Sequence, residues 1–225
     1  MKKNVLVSVS SLPAEKTILT YAKEIAPYAD FLHCDIMDGT LTPAVSLINS
    51  VMVSEINDRT TLPIDVHMMV RSPQNYIEKY AKAGANLISF HYECFIGNEP
   101  QLLETIKMVK KLKCLCGIAV DLPTDVANLD SILKYVDVVL VMSVNIGKSG
   151  QKFEPSALNK VKYLVEKRKE LDLHYLIEVD GGINNENSSK IIKAGADIFV
   201  SGSYIFNITN YQLAIQSLKK NSNKK

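Results

Sequence analysis

Three of the four histidines in this 225-residue chain lie beside carboxylates in short apolar segments. His33 stands in HCDIMDG, His67 in DVHMMV and His91 in SFHYE. His33 and Asp35 are two residues apart on an extended segment, so both side chains leave on one face. His67 ends the next such segment, and Asp180, in IEVDGG, ends one far along the chain. Two imidazoles and two carboxylates form a donor set suited to one divalent ion, Zn²⁺, Fe²⁺, Mn²⁺ or Co²⁺. A single histidine at a strand end is more often a hydrogen-bonded structural group, but three at successive strand ends point to a site. His91 is read as a neighbour that orients or bridges a ligand. His174 precedes its strand and is read as structural.

Asp35 and Asp180 have a second use. Two carboxylates facing one carbon from opposite sides can remove a proton from one face and return it to the other. Inversion beside a carbonyl needs that pair, with a metal ion stabilising the enediolate by several kcal/mol. Gly181-Gly182 and Gly202-Ser203 follow the last two apolar segments, where backbone N–H groups often hold phosphate. The segment 145–151, with Gly147, Gly150 and Gln151, reads as a lid. Met37, Met69 and Met142 sit near strand ends, either as core filler or as a polarizable ceiling over a flat intermediate.

Such residues need a scaffold that gathers strand ends. Eight short runs rich in Val, Ile and Leu recur: Val5–Val9, Asp30–Ile36, Ile64–Met69, Asn86–His91, Cys114–Val120, Val136–Met142, Tyr175–Val179 and Asp197–Val200. Continuous apolar runs suit strands buried on both faces, as in a parallel sheet. Helix signals lie between them. Ser72-Pro73 opens a helix to Lys82 with Tyr76, Ile77, Tyr80 and Ala81 on one face. Thr124-Asp125 opens another with Val126, Leu129, Ile132 and Leu133 as its stripe. Residues 154–170 and 187–193 behave alike. The echo between YAKAGANLISF and IIKAGADIFV marks a helix end, a left-handed glycine and entry to a strand. The pattern predicts one α/β domain over residues 1–225, a single (β/α)8 TIM-type barrel of eight parallel strands. A doubly wound open sheet is the alternative, but its first turn would want a glycine-rich fingerprint that VSVSSLPAEK lacks.

Composition limits the function classes. Hydrophobic residues make up 47% and charged residues 22%, too apolar for a disordered chain. No stretch approaches the roughly 20 apolar residues that span a bilayer, and the N-terminus is too polar for a secretory signal. Net charge is +2, but four lysines lie in KKNSNKK, leaving 22 basic against 24 acidic side chains. That body is not a nucleic-acid surface, and the tail at about 219–225 reads as disordered. Cys34, Cys94, Cys114 and Cys116 form no C-x-x-C pair and suit a reduced, cytoplasmic setting.

The motifs HCDIMDG, DVHMMV, GANLISFHYE, VDVVLVMSVN, IEVDGG and GADIFVSGS together resemble the ribulose-phosphate 3-epimerase family over nearly the whole chain. The resemblance implies a (β/α)8 barrel, one divalent metal per subunit and interconversion of ribulose 5-phosphate and xylulose 5-phosphate. It places the metal on His33, Asp35, His67 and Asp180 and the proton transfers on Asp35 and Asp180. It puts Ser8 against substrate, and His67 and the three methionines, from their places at the strand ends, are read as further substrate contacts. The phosphate falls to Gly181, Gly182, Gly202 and Ser203, and the lid to Gly147, Gly150 and Gln151. It also implies a homo-oligomer, a dimer or a hexamer.

Four stretches depart from the family pattern, all around the mouth: Val7–Ser11, Thr40–Ala44, Asp121-Leu122, and Ile146, Lys148 and Ser149 in the lid. Lys148 either adds a cation near the phosphate or points into solvent. The changed lid and Thr40–Ala44 loop leave a hexulose phosphate, such as allulose 6-phosphate, as an alternative substrate. A barrel that binds a sugar phosphate without turnover is a further alternative. A lyase relative would want a strand-end lysine, and none of the eight strand ends offers one.

Overall fold

The computed structural model describes residues 5–220. Eight strands form one closed, all-parallel barrel in chain order: β1 (Leu6–Ser10), β2 (Phe31–Met37), β3 (Ile64–Met69), β4 (Leu87–His91), β5 (Leu115–Val120), β6 (Val138–Met142), β7 (Leu176–Asp180) and β8 (Ile198–Ser201). Closure comes from β1 pairing with β8, with Leu6 opposite Ile198 and Ser8 opposite Val200. The predicted runs coincide with these strands to within one or two residues at each end.

The helices are α1 (Ile18–Ile25), α2 (Ser50–Arg59), α3 (Gln74–Lys82), α4 (Glu99–Lys111), α5 (Ala157–Glu170), α6 (Ser188–Ala194), α7 (Ser203–Phe206) and α8 (Tyr211–Lys220). Caps set their starts. Asn49 accepts from the N–H groups of Val51 and Met52, and Asn98 accepts from that of Gln101. Gly195, at φ 115°, ends α6 in the left-handed region and turns the chain into β8. On α3 the predicted stripe is in place, with Ile77 and Tyr80 buried and Tyr76 and Ala81 packed at its edge.

One predicted helix is not formed. The segment after Asp125 makes two short 3₁₀ turns, Val126–Leu129 and Leu133–Tyr135. It buries the expected Val126, Leu129, Ile132 and Leu133. Asn128, Asp130 and Ser131 are poor helix formers, and the Asp130 carboxylate is held by the Tyr163 hydroxyl on α5, which disfavours a continuous α-helix. At the other end, Lys219 and Lys220, placed in the predicted tail, belong to α8; the rest of that tail, residues 221–225, lies outside the described residues.

Alternation along each strand sorts two environments. Val139, Val141 and Phe199 join the large core between barrel and helices, whereas Ala119, Leu140, Met142 and Val200 form a separate apolar cluster inside the barrel. Much of the remaining interior is polar: Ser8, His33, Asp65, His67, Ser89 and His91 on β1 to β4, and Glu178 on β7, are all buried. A barrel interior lined so unequally must satisfy its polar half internally, and that half carries the site. The cysteines are free thiols; Cys34, Cys114 and Cys116 are buried, and burial pushes the Cys116 thiol up to about 12.

Candidate active site

His33 and Asp35 rise from β2, His67 from β3 and Asp180 from the end of β7. One ligand atom from each lies within 4.8 Å of every other. Asp35 Oδ1 is 3.3 Å from His33 Nε2 and 3.2 Å from His67 Nδ1, and Asp180 Oδ2 is 4.0 Å from both nitrogens. On its far side His33 is held by Asp65, Nδ1 to Oδ2 at 2.6 Å, and Ser8 donates to the same oxygen at 2.9 Å. A carboxylate only accepts, so His33 Nδ1 carries a proton and Nε2 is the nitrogen left to meet a cation. That Nε2 is buried without a hydrogen-bond partner. An orphaned nitrogen aimed at two carboxylates and a second imidazole fits a divalent cation.

Above this cluster opens a cavity walled by Ser10, Asp35, Asp180 and the loops after β6, β7 and β8. The lid is stapled by Gln151, whose Nε2 donates to the carbonyls of Asn145 (2.6 Å) and Lys148 (2.9 Å). It rests on the β2–α2 loop: Gly147 has φ 93°, and a Cβ there would lie 2.1 Å from Thr42 Oγ1. Ser143 fixes the floor, its hydroxyl donating to the carbonyls of Asp180 (2.7 Å) and Gly181 (2.8 Å).

Comparison with known proteins then places the chain. The sequence profile of the Ribulose-phosphate 3 epimerase family matches residues 6–206, almost the entire barrel. The chain belongs to the ribulose-phosphate 3-epimerase family. As a member it is an isomerase of the epimerase class, acting on carbohydrates. It is 39% identical over 191 residues to the ribulose-phosphate 3-epimerase of Aquifex aeolicus (strain VF5), covering 85% of this chain and 84% of that one. Against the Escherichia coli (strain K12) ribulose-phosphate 3-epimerase it is 35% identical over 219 residues, 96% of each. Among solved structures, the 3-hexulose-6-phosphate synthase of Salmonella typhimurium superposes with a TM-score of 0.70 at 13% identity, over 97% of this chain and 98% of that one. That likeness reflects the barrel alone.

In this epimerase-family chain, Met69, Met142 and the glycine loops expected at the phosphate line the cavity, as do Gly147, Gly150, Gln151 and Ser203. Ser8, Met37 and His67 do not reach its wall. Ser8 lies a layer below, committed to Asp65, and Met37 is buried. Ser10, two residues nearer the mouth on the same face of β1, lines the cavity and donates to Asp35 Oδ2 at 3.3 Å. Lys148 is also at the cavity wall, its only cationic residue. Asp65 and Glu178, unremarked in the sequence, form a carboxyl pair beneath His33. Among the described residues no helix is long and apolar enough to cross a membrane.

The two mouth carboxylates are driven apart in acidity. Burial alone would raise Asp35, but the His33 charge, with the His67 ring beside it, holds it well below the usual carboxylate range. Desolvation pushes Asp180 up to about 7; the His33 charge opposes this, while Asp35 and Asp65 add to it. Burial, then the Asp65 charge, raises Glu178 well above its ordinary value. Burial lowers His33, but Asp65 and Asp35 overcome it and raise its pKa. Without a cation, a proton thus takes the central place.

A sign follows for stability. Asp180 and Glu178, like His33, hold protons in the folded protein at pH values where the unfolded chain has lost them. Their contribution is complete below the unfolded values of 3.8 and 4.5 and fades as pH climbs, for Asp180 through about 7. His91, lowered chiefly by burial, works the other way only up to 6.5. In chelator, the melting temperature is expected to fall between about pH 5 and about pH 7; a rise across that window in thermal melts would contradict these assignments.

Proposed function

We propose that this protein inverts C3 of a ketose phosphate, converting D-ribulose 5-phosphate to D-xylulose 5-phosphate. The observation that carries this reading is the pairing of Asp35 from β2 with Asp180 from β7 in one cavity, their acidities shifted in opposite directions. Separated pKa values assign acid and base roles. Ionised Asp35 takes the proton from C3, and the electron pair moves toward the C2 carbonyl to give an enediolate. Protonated Asp180 returns a proton to C3 on the other face; the reverse reaction exchanges the roles. Ser10 steadies Asp35 through its hydroxyl. Ser143 fixes the backbone that carries Asp180.

The metal set is His33, Asp35, His67 and Asp180. A divalent cation bound there, of Zn, Fe, Mn or Co, would supply Lewis-acid stabilisation of the charge developing on the substrate oxygens. Met69 and Met142 offer a weakly polar surface to the flat intermediate. The phosphate is assigned to the loops bearing Gly181, Gly182, Gly202 and Ser203. Gly182 has to be glycine: its φ is 63°, and a Cβ would stand 2.4 Å from the Phe153 backbone nitrogen. The Thr42–Gly147 contact joins two stretches that depart from the family pattern, which favours testing a hexulose phosphate as a second substrate. The free cysteines fit a cytoplasmic protein, and the family resemblance a homo-oligomer.

The direct test is turnover of D-ribulose 5-phosphate in deuterated water, followed by NMR. The expected product is D-xylulose 5-phosphate with deuterium at C3. The kcat/KM is expected to exceed that for allulose 6-phosphate by at least about tenfold. The reverse ratio would reassign the substrate. Tight binding of both sugars with neither turnover nor exchange would leave only a binding barrel.

A further inference from the structure

Behind His67, on the side away from Asp35, runs a line of groups that the proton transfers do not use, a buried imidazole and then a half-buried carboxylate. His67 Nε2 is 2.9 Å from His91 Nε2, and His91 Nδ1 is 3.1 Å from Glu93 Oε2. The two imidazole centroids are 5.1 Å apart with planes inclined 26°. With two ring nitrogens only 2.9 Å apart, that centroid separation sets the rings edge to edge, the geometry of an N–H···N hydrogen bond. Both rings are buried. Glu93 is fixed at its other oxygen, where Oε1 accepts from the Asp121 N–H at 2.8 Å.

Hydrogen-bond logic gives this line a direction. Ionised Glu93 only accepts, so His91 Nδ1 must carry its proton. A neutral His91 then has a bare Nε2, which must accept. His67 Nε2 therefore donates, and His67 Nδ1 is left with a lone pair, 3.2 Å from Asp35 Oδ1. Two lone pairs at that distance face a common positive charge. We infer that Glu93, acting through His91, holds His67 in its Nε2–H tautomer and so turns Nδ1 toward the metal set. Glu93 and His91 are thus positioning residues for that set. The arrangement mirrors Asp65 behind His33 but with one extra ring between carboxylate and ligand. The two imidazoles therefore offer different atoms, Nε2 from His33 and Nδ1 from His67, each chosen by a carboxylate at its back.

Without Glu93, His91 could carry its proton on Nε2 and donate it to His67. His67 would then bear hydrogen on Nδ1 and bond Asp35, closing the place a cation needs. The inference rests on reading the His33, Asp35, His67 and Asp180 set as a metal site, and the test separates the two. In protein with ¹⁵N-labelled histidine and loaded with Zn²⁺, long-range ¹H–¹⁵N correlation is expected to show His67 protonated at Nε2 and His91 at Nδ1. His67 protonated at Nδ1, or His91 at Nε2, overturns the inference. Zn²⁺ affinity, measured by chelator competition, is expected to fall about 10- to 100-fold in Glu93→Leu and to recover largely in Glu93→Gln, whose amide oxygen can still accept. Wild-type affinity in a folded Glu93→Leu also overturns it. Should Glu93→Leu not fold, the wild-type tautomers and Glu93→Gln decide. Should the wild type take up no Zn²⁺, the metal reading fails, while the tautomers of the metal-free protein at alkaline pH still judge the relay.

Discussion

Replacing Asp180 with Asn is expected to cut kcat by about 10²–10⁴-fold, the usual contribution of one positioned acid–base group. The amide has the same shape but can neither deliver nor accept the C3 proton. The Asp180 carboxyl is 4.0 Å from both imidazoles, so its loss strands no tightly bonded donor. The fold should therefore survive, as circular dichroism and a cooperative melt would show. Asp35→Asn is expected to fall at least as far, because Asp35 is the group held ionised between His33 and His67. The variants should also differ in exchange. An enzyme lacking one carboxylate can still remove the proton on the intact side, so solvent deuterium should wash into one of the two epimers faster than the sugars interconvert. Turnover within tenfold of wild type in either variant would remove the two-carboxylate mechanism.

Stripping divalent ions is expected to have an effect of similar size. If the cation lowers the barrier by several kcal/mol, chelated protein should lose about three powers of ten in rate, at about 1.4 kcal/mol per tenfold. Zn²⁺, Fe²⁺, Mn²⁺ or Co²⁺ should restore it. The same titration has a thermal readout, because a ligand bound only by the folded state stabilises it by about 4 kcal/mol at 1,000 times its Kd. His33→Ala and His67→Ala should abolish both the rescue and the thermal shift. Full activity in metal-stripped protein, verified by elemental analysis, would show that the His33 Nε2 lone pair serves something other than a cation.

Much of the scaffold was readable because parallel barrel strands are buried on both faces and so appear as unbroken Val, Ile and Leu runs, bounded by glycines with fixed jobs such as Gly195. The gathering of His33, Asp35 and His67 was readable for a similar reason: His33 and Asp35 share a face by simple alternation, and β3 pairs directly with β2, setting His67 opposite Asp35. Less could be seen where the deciding partner is remote in sequence. Nothing near Ser8 announces that Asp65, 57 residues away, claims its hydroxyl. Nor does IEVDGG reveal that Glu178 turns inward beside Asp65 and becomes a buried acid. The segment after Asp125 carried a helical stripe, and only its polar interruptions hinted at two tight turns instead.

The seat of Gly147 on Thr42 has a consequence for how the mouth works. Two loops rooted on opposite sides of the barrel meet there with no space between them. The flap cannot settle deeper than the residue at 42 permits, nor lift without uncovering it. On the proposed function, bulk at that one buried position would set the clearance above a bound sugar, and with it the length of carbon chain that fits beneath and how readily product escapes.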